Sequence, residues 1–369
     1  MDNLKAALFQ NATELGFCAI GIADMSPFEF HEVTALMAID NGLLADLNWY
    51  TPERVRKGSH PERIAPWGRS IISVALPYPL AESENVLGAR ISKYAWGTDY
   101  HDVVKTKLHG LVSSLALLMG RKMRGHICVD DGLLPDRAVA ERAGVGWFGK
   151  NTNIVVSGRG SRTFLGEVIV DVEMAPDVPL KDDCGDCDVC LKACPTGALV
   201  APYTLDSRHC IAYLTIENRG AIPRDIRPLV GDRLFGCDTC QEACPHNRQN
   251  ENHVASVGAE VNVTQLDRIL KMKEDEFRVQ FMGSALKRAK LVGLQRNACV
   301  VLGNAGDEAA VQPLASVFSG GAPLVRAHAA WALGRIGSEK ARGALESTVG
   351  RESDVGVLEE VRRALNGAP

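Results

Sequence analysis

Cysteine spacing carries the strongest chemical signal in this chain. Cys184-Gly-Asp-Cys187-Asp-Val-Cys190-Leu-Lys-Ala-Cys194-Pro195 reads C-x2-C-x2-C-x3-C-P, the run with which bacterial ferredoxins hold iron–sulfur clusters. In that run three thiolates hold one 4Fe–4S cluster and the fourth reaches across to a second. Cys237, Cys240 and Cys244-Pro245 repeat the latter half of the pattern, and Cys210 stands upstream of them. The spacing therefore assigns Cys184, Cys187, Cys190 and Cys244 to one cluster, and Cys210, Cys237, Cys240 and Cys194 to the other. Pairs of C-x2-C knuckles also build zinc sites, but zinc does not ask for two x2 spacings followed by x3-C-P. Cys18, Cys128 and Cys299 are left over and read as small buried side chains.

The remainder of the chain bounds what such clusters could serve. Its 369 residues suffice for two or three domains. A net charge of −4 gives no global pull toward nucleic acid, so any basic surface must be local. The first residues lack the cationic segment and apolar run of a signal peptide, and no apolar stretch approaches a membrane span. The expectation is a soluble cytoplasmic monomer without membrane contact, whose thiols stay reduced.

Three domains are predicted: α/β over 1–175, the cluster module over 176–255, and helical repeats over 256–369. In the first, a helical start is followed by a turn-rich basic loop over 49–61. Ser70-Ile-Ile-Ser-Val-Ala-Leu-Pro77 reads as a buried strand and 103–119 as a helix. A strand at 126–129 ends in an Asp-Asp-Gly turn, before a helix from Asp136 to Ala143. Residues 153–156 and 164–171 flank Ser157-Gly-Arg-Gly160 as strand, loop and strand. Near the C-terminus Leu302-Gly303-x-Ala-Gly306-x-Glu308 recurs as Leu333-Gly334-x-Ile-Gly337-x-Glu339. Such units stack as a short HEAT-like array, and residues 262–282 supply a capping neighbour.

Three constellations outside the cysteines could bear chemistry. Gly144-Val-Gly146-Trp-Phe-Gly149-Lys150-Asn151 imitates a nucleotide loop, yet a helix precedes it and a strand follows, the reverse of what phosphate binding needs. Asp130, Asp131 and Asp136 gather at one strand end. Turn formation and helix capping account for the last two. A half-buried Asp130 would keep its proton to unusually high pH and could deliver it. Lys287, Arg288, Lys290 and Arg296 form an acid-free run, either a solvated helix face or a phosphate-tracking stripe. Two clusters make an electron wire, and flavin, cobalamin or a partner's cofactor would each satisfy the need for an acceptor.

Several stretches together resemble the epoxyqueuosine reductase family. They are Trp96-Gly-x-Asp99-Tyr-His101, the run from Val129-Asp130 through Pro135-Asp136 to Gly149-Lys150-Asn151, Cys210-Ile-x-Tyr-Leu-Thr-Ile-Glu217, Gly236-Cys-Asp-x-Cys-Gln-x-x-Cys-Pro245 and Arg296-Asn297. The resemblance implies a cobalamin-binding reductase domain, a two-cluster ferredoxin domain and a HEAT-like domain that helps bind tRNA. It implies two-electron deoxygenation of epoxyqueuosine at the tRNA wobble position, fed by an external low-potential electron donor. Asp130 falls on the family's proton donor. Gly149, Lys150, Asn151, Ile154, Ser92, Leu165 and Val168 fall in cobalamin-contacting segments. Arg56 takes the family's early arginine position, with Arg54 or Lys57 as rivals. No histidine is expected on the cobalt. Two other readings fit the same residues: a related corrinoid reductase with another substrate, such as a dehalogenase, or an electron-transfer adaptor that docks through its repeats.

Overall fold

The computed structural model describes residues 2–78, 87–250 and 261–367. These residues group into two compact units. One holds 2–78, 98–208 and 239–250; the other holds 87–97, 209–238 and 261–367.

The first unit is built on a four-stranded sheet. Ala19–Ala23 pairs with Ser70–Pro77, which pairs with Thr163–Val170, which pairs with Gly125–Cys128, and every pairing is antiparallel. Mixed helix and strand content was expected here. Strand alternation fixes the two faces. Gly166 lies against Val104 and Leu108, and Val168 beside Val112, all on the Tyr100–Met119 helix. Leu165, Glu167 and Ile169 point the other way, where Ile169 joins Val139, Ala140 and Ala143 in the main apolar cluster. That cluster buries the Asp136–Arg142 helix against the sheet.

Two local expectations change. The basic loop over 49–61 is in fact two short helices, Pro52–Gly58 and Pro61–Ile64. The side chain of Thr51 accepts the Arg54 N–H, and each helix opens on a proline whose missing N–H costs nothing there. Residues 153–156 and 164–171 do form strands, but they belong to different sheets. Ile154–Val155 pairs with Trp147–Phe148 in a small hairpin of its own.

Helices dominate the second unit. Lys290–Ala305 packs on Pro323–Ile336, and that helix packs on Val355–Leu365. The repeated Leu-Gly-x-x-Gly explains this. A Cβ on Gly303 would stand 2.8 Å from the Ala332 Cα, and one on Gly334 would stand 2.6 Å from the Ala364 Cβ. The first glycine of each repeat thus lets neighbouring helices touch. The second, Gly306 or Gly337, takes φ +68 and ends its helix in the left-handed cap. The 262–282 segment forms two helices, Val263–Lys271 and Glu274–Gln280, and Gln295 donates to the carbonyls of Ile269, Leu270 and Met272 at the end of the first.

Candidate functional site

Within the first unit, Cys184, Cys187, Cys190 and Cys244 line one cavity together with Gly149, Lys150, Asn151, Val155, Pro245 and His246. The x2 spacings place Cys184 and Cys187 on the turn leading into the Val189–Ala193 helix and Cys190 in that helix's first turn. Cys190 and Cys244 are buried, while Cys184 and Cys187 are partly exposed. Among the described residues, no three His, Cys, Asp or Glu side chains converge closely enough for one ion. The four thiols surround a cavity instead, a donor set that fits a polynuclear iron–sulfur cluster. Lys150 Nζ donates to the Gly185 carbonyl at 2.5 Å, which places a cation beside these thiols.

A helix precedes the glycine-rich run and a strand follows it, as expected, but Trp147–Phe148 within the run is itself a strand, so residues 149–153 form a strand-to-strand turn. Gly149 N–H donates to Asn153 O at 2.8 Å, and Thr152 N–H donates back to Gly149 O at 2.8 Å. The Asn151 side chain accepts the Asn153 N–H at 3.3 Å and is buried. Ser161 and Asn247 bind each other, with the Ser161 N–H donating to Asn247 Oδ1 at 2.7 Å. That contact secures the backbone just after the last cluster cysteine.

Other residues expected near cobalamin are placed differently. Val168 is fully buried on the sheet face toward the Tyr100–Met119 helix, whereas Leu165 lies on the opposite face. The two side chains therefore face opposite sides of the sheet, with Val168 packed in the core. Ile154 is 4% exposed inside the main apolar cluster. Ser92, in the second unit, is buried and donates to Asp238, the residue after Cys237. Arg56 is exposed, whereas Arg54 is half-buried, donates to the Gly132 carbonyl and lies 5.1 Å from the Trp49 ring.

Asp130 stands just past the Gly125–Cys128 strand with φ +54, in the left-handed region. Tyr100 donates to it at 2.7 Å from the first residue of the long helix. The Tyr100 ring stacks flat on Phe164 at 4.6 Å, and Asp99 holds the neighbouring His101 ring at 2.6 Å. Asp130 is exposed, not half-buried as expected. Its loop is nevertheless pinned from beneath, by Arg54 and by Gly58, whose Cα abuts the Leu133 carbonyl with no room for a Cβ. Asp131 makes the expected turn, accepting the Val129 N–H at 3.2 Å, and pairs with Lys105. Asp136 does not cap: it is the first residue of a helix whose N-cap is Pro135, its Oδ1 is buried without a partner, and burial raises its pKa. Glu167 went unrecognised in the sequence. The signal was a single carboxylate in an otherwise apolar strand.

Among the basic residues of the second unit, Lys287 and Lys290 are exposed. Arg288 is half-buried and lies 2.9 Å from Glu217. Arg296 must be removed from the stripe. It is 0% exposed, and its guanidinium donates to the carbonyls of Leu214, Asn218 and Gly220 and to Asn297 Oδ1. Burial lowers its pKa to about 10, so it stays cationic at neutral pH. No described helix is long and apolar enough to cross a membrane.

These features define a class: an iron–sulfur oxidoreductase with an antiparallel α/β unit and stacked HEAT-like helices. Residues 183–247 match the 4Fe-4S double cluster binding domain, and residues 279–366 match HEAT repeats. Residues 59–131 match the family described as Epoxyqueuosine reductase QueG, DUF1730. The chain belongs to the epoxyqueuosine reductase family. It is 35% identical to the Bacillus cereus epoxyqueuosine reductase over 99% of this chain and 97% of that one. It is 33% identical to the Escherichia coli K12 enzyme, covering 90% and 89%. A crystal structure of epoxyqueuosine reductase with an epoxyqueuosine-modified tRNA-Tyr stem loop superposes with TM-score 0.87, at 33% identity and 99% coverage of both chains. A Bacillus subtilis epoxyqueuosine reductase whose catalytic aspartate loop is swung out of the active site gives 0.86, at 31% identity, covering 100% of this chain and 99% of that one.

Proposed function

We propose that this protein reduces epoxyqueuosine to queuosine in tRNA, with Asp130 as the proton donor. What supports this reading most is likeness along almost the whole chain to a relative crystallised with the modified stem loop. The functional division stays as the sequence suggests: reduction in 1–175, electron relay in 176–255, tRNA docking in 256–369. Cys184, Cys187, Cys190 and Cys244 hold one cluster, and Cys210, Cys237, Cys240 and Cys194 the other. An external low-potential donor fills them, and the protein works as a cytoplasmic monomer.

Cobalamin belongs to this proposal. The 149–151 loop suits it, since it borders the first cluster's cavity and offers backbone as well as the Lys150 cation. When bound, cobalamin would supply the strongly reducing centre that opens the epoxide. The chain's own residues do the rest. Tyr100 orients the Asp130 carboxyl, and Arg54 and Gly58 hold the loop that carries it. Asp130 then gives one of the two protons that the two-electron removal of the epoxide oxygen as water requires, and solvent supplies the second. Arg54 replaces Arg56 as the basic residue of the 54–57 segment that serves the site.

The direct test is anaerobic reconstitution with iron, sulfide and cobalamin, then mass analysis of a tRNA carrying epoxyqueuosine. Loss of one oxygen from the nucleoside is expected, and iron near eight per chain, the content of two 4Fe–4S clusters. Retention of the epoxide by a fully loaded protein would overturn the activity.

Lys287 and Lys290, with Arg288 beside them, remain the proposed phosphate contacts. Changing all three to Gln should weaken tRNA binding and lower the salt slope by about 2–3, close to one per lost phosphate contact. Binding measured from 50 to 200 mM salt checks this. An unchanged slope would make them a solvated face only.

A further inference from the structure

The four thiols of the first cluster and the Gly149-Lys150-Asn151 loop line the same cavity. Lys150 is the only lysine or arginine among the described residues that line it, and no carboxylate is among them. The chain that delivers three of the thiols is acidic, with Asp182, Asp183, Asp186 and Asp188 in or beside the run from Cys184 to Cys190. Lys192 of the same run pairs with Asp188 at 2.9 Å.

Both ends of Lys150 are held. Its Nζ donates at 2.5 Å to the carbonyl of Gly185, the residue that follows Cys184. The Gly185 N–H donates to Asp183 Oδ1 at 2.6 Å, and the Cys187 N–H donates to Cys184 O at 3.0 Å. The turn that carries the first two thiols is thus closed on itself and tied to the ammonium. At the backbone, Lys150 O accepts the Tyr203 N–H at 3.0 Å. Gly149 keeps the loop tight, since a Cβ there would stand 2.8 Å from Asn151 Oδ1.

A 4Fe–4S cluster in four thiolates is anionic and becomes more so when it takes up an electron, so a fixed cation beside it favours the reduced form. We infer that Lys150 sets the reduction potential of the first cluster, holding it up against the aspartates of the cluster's own turn so that an external donor can fill it. The inference rests on the proposed cluster ligands, while its test involves neither cobalamin nor tRNA. One electron is added in the step concerned, it comes from the external donor, and no covalent bond of Lys150 forms or breaks. Lys150 is therefore a positioning residue that acts through the cluster. Its half-exposed ammonium is screened by salt to a matching degree.

Redox titration of the full chain loaded with iron and sulfide, followed by electron paramagnetic resonance, tests this directly. Lys150→Met should keep the wild-type iron content and move one of the two reduction steps to lower potential. The expected shift is about tenfold in that equilibrium, which is about 59 mV for one electron. The other step should stay in place. Lys150→Arg keeps the charge and should restore the wild-type value, and raising the salt should narrow the gap between Lys150→Met and wild type. Lys150→Gln, whose amide can still donate to the Gly185 carbonyl, should show the same lowered step, which separates lost charge from a loosened turn.

Two unmoved steps in Lys150→Met or Lys150→Gln at full iron content would overturn the inference, as would a step that Lys150→Arg leaves low. Weakened cobalamin binding in such a variant would then assign the ammonium to that cofactor instead. A wild-type chain with a single reduction step would sink the cluster assignment beneath the inference, a failure visible without any tRNA product.

Discussion

Asp130→Asn is expected to keep both clusters and the fold while cutting single-turnover deoxygenation by about 10²–10⁴-fold, the usual worth of a positioned general acid. The substitution is unusually clean at this position. Asp130 sits at φ +54, where asparagine is as well tolerated as aspartate. The amide oxygen can still accept from Tyr100, which now donates at 2.7 Å. What disappears is the ability to release a proton to oxygen. Iron content, thermal unfolding and mass analysis of the tRNA product measure the three quantities separately. A rate within a few-fold of wild type would remove Asp130 from the chemistry and turn attention to His101 or bulk water.

Arg296→Ala should destabilise the second unit by about 3–5 kcal/mol, a cost typical of dismantling a buried charged network. The side chain is fully buried, and its guanidinium serves three backbone carbonyls and Asn297. Removing it strands those carbonyls without water. Asn297 in turn donates to Thr215 O at 2.8 Å and Leu234 O at 2.9 Å, so the damage spreads through segments 211–216 and 233–235. Arg296→Lys keeps the charge but not the planar fork, and should fall between the two. Denaturant unfolding of the full chain reads the effect. A residue acting only on tRNA would instead leave stability untouched and alter the salt dependence of binding, which is the outcome that would restore Arg296 to the stripe.

The contrast between these two positions shows how far residue order can be read. The double-cluster domain was legible because a cubane demands fixed short spacings, which recur within residues 184–194 and 237–244. The Leu-Gly-x-x-Gly repeat was legible for a related reason: helix contact and helix cap recur with every stacked unit. The reversed order around Gly144–Lys150 likewise argued against a phosphate loop without coordinates, since a helix before and a strand after is a local property.

Folding decided what depends on partners far along the chain. Arg296 and Lys290 are both cations in one basic run, yet carbonyls from 214–220 draw one inside and leave the other exposed. Leu165 and Val168 looked interchangeable until strand pairing put them on opposite faces. Arg54 was separated from Arg56 only by where the short Pro52–Gly58 helix meets the Asp130 loop. The sequence determined by itself that this is a two-cluster iron–sulfur protein with helical repeats, because those signals are short-range and periodic. Tertiary structure alone decided which charges are buried, Arg296 and Glu167 among them, because a charged side chain is enclosed only when a distant helix or strand settles over it.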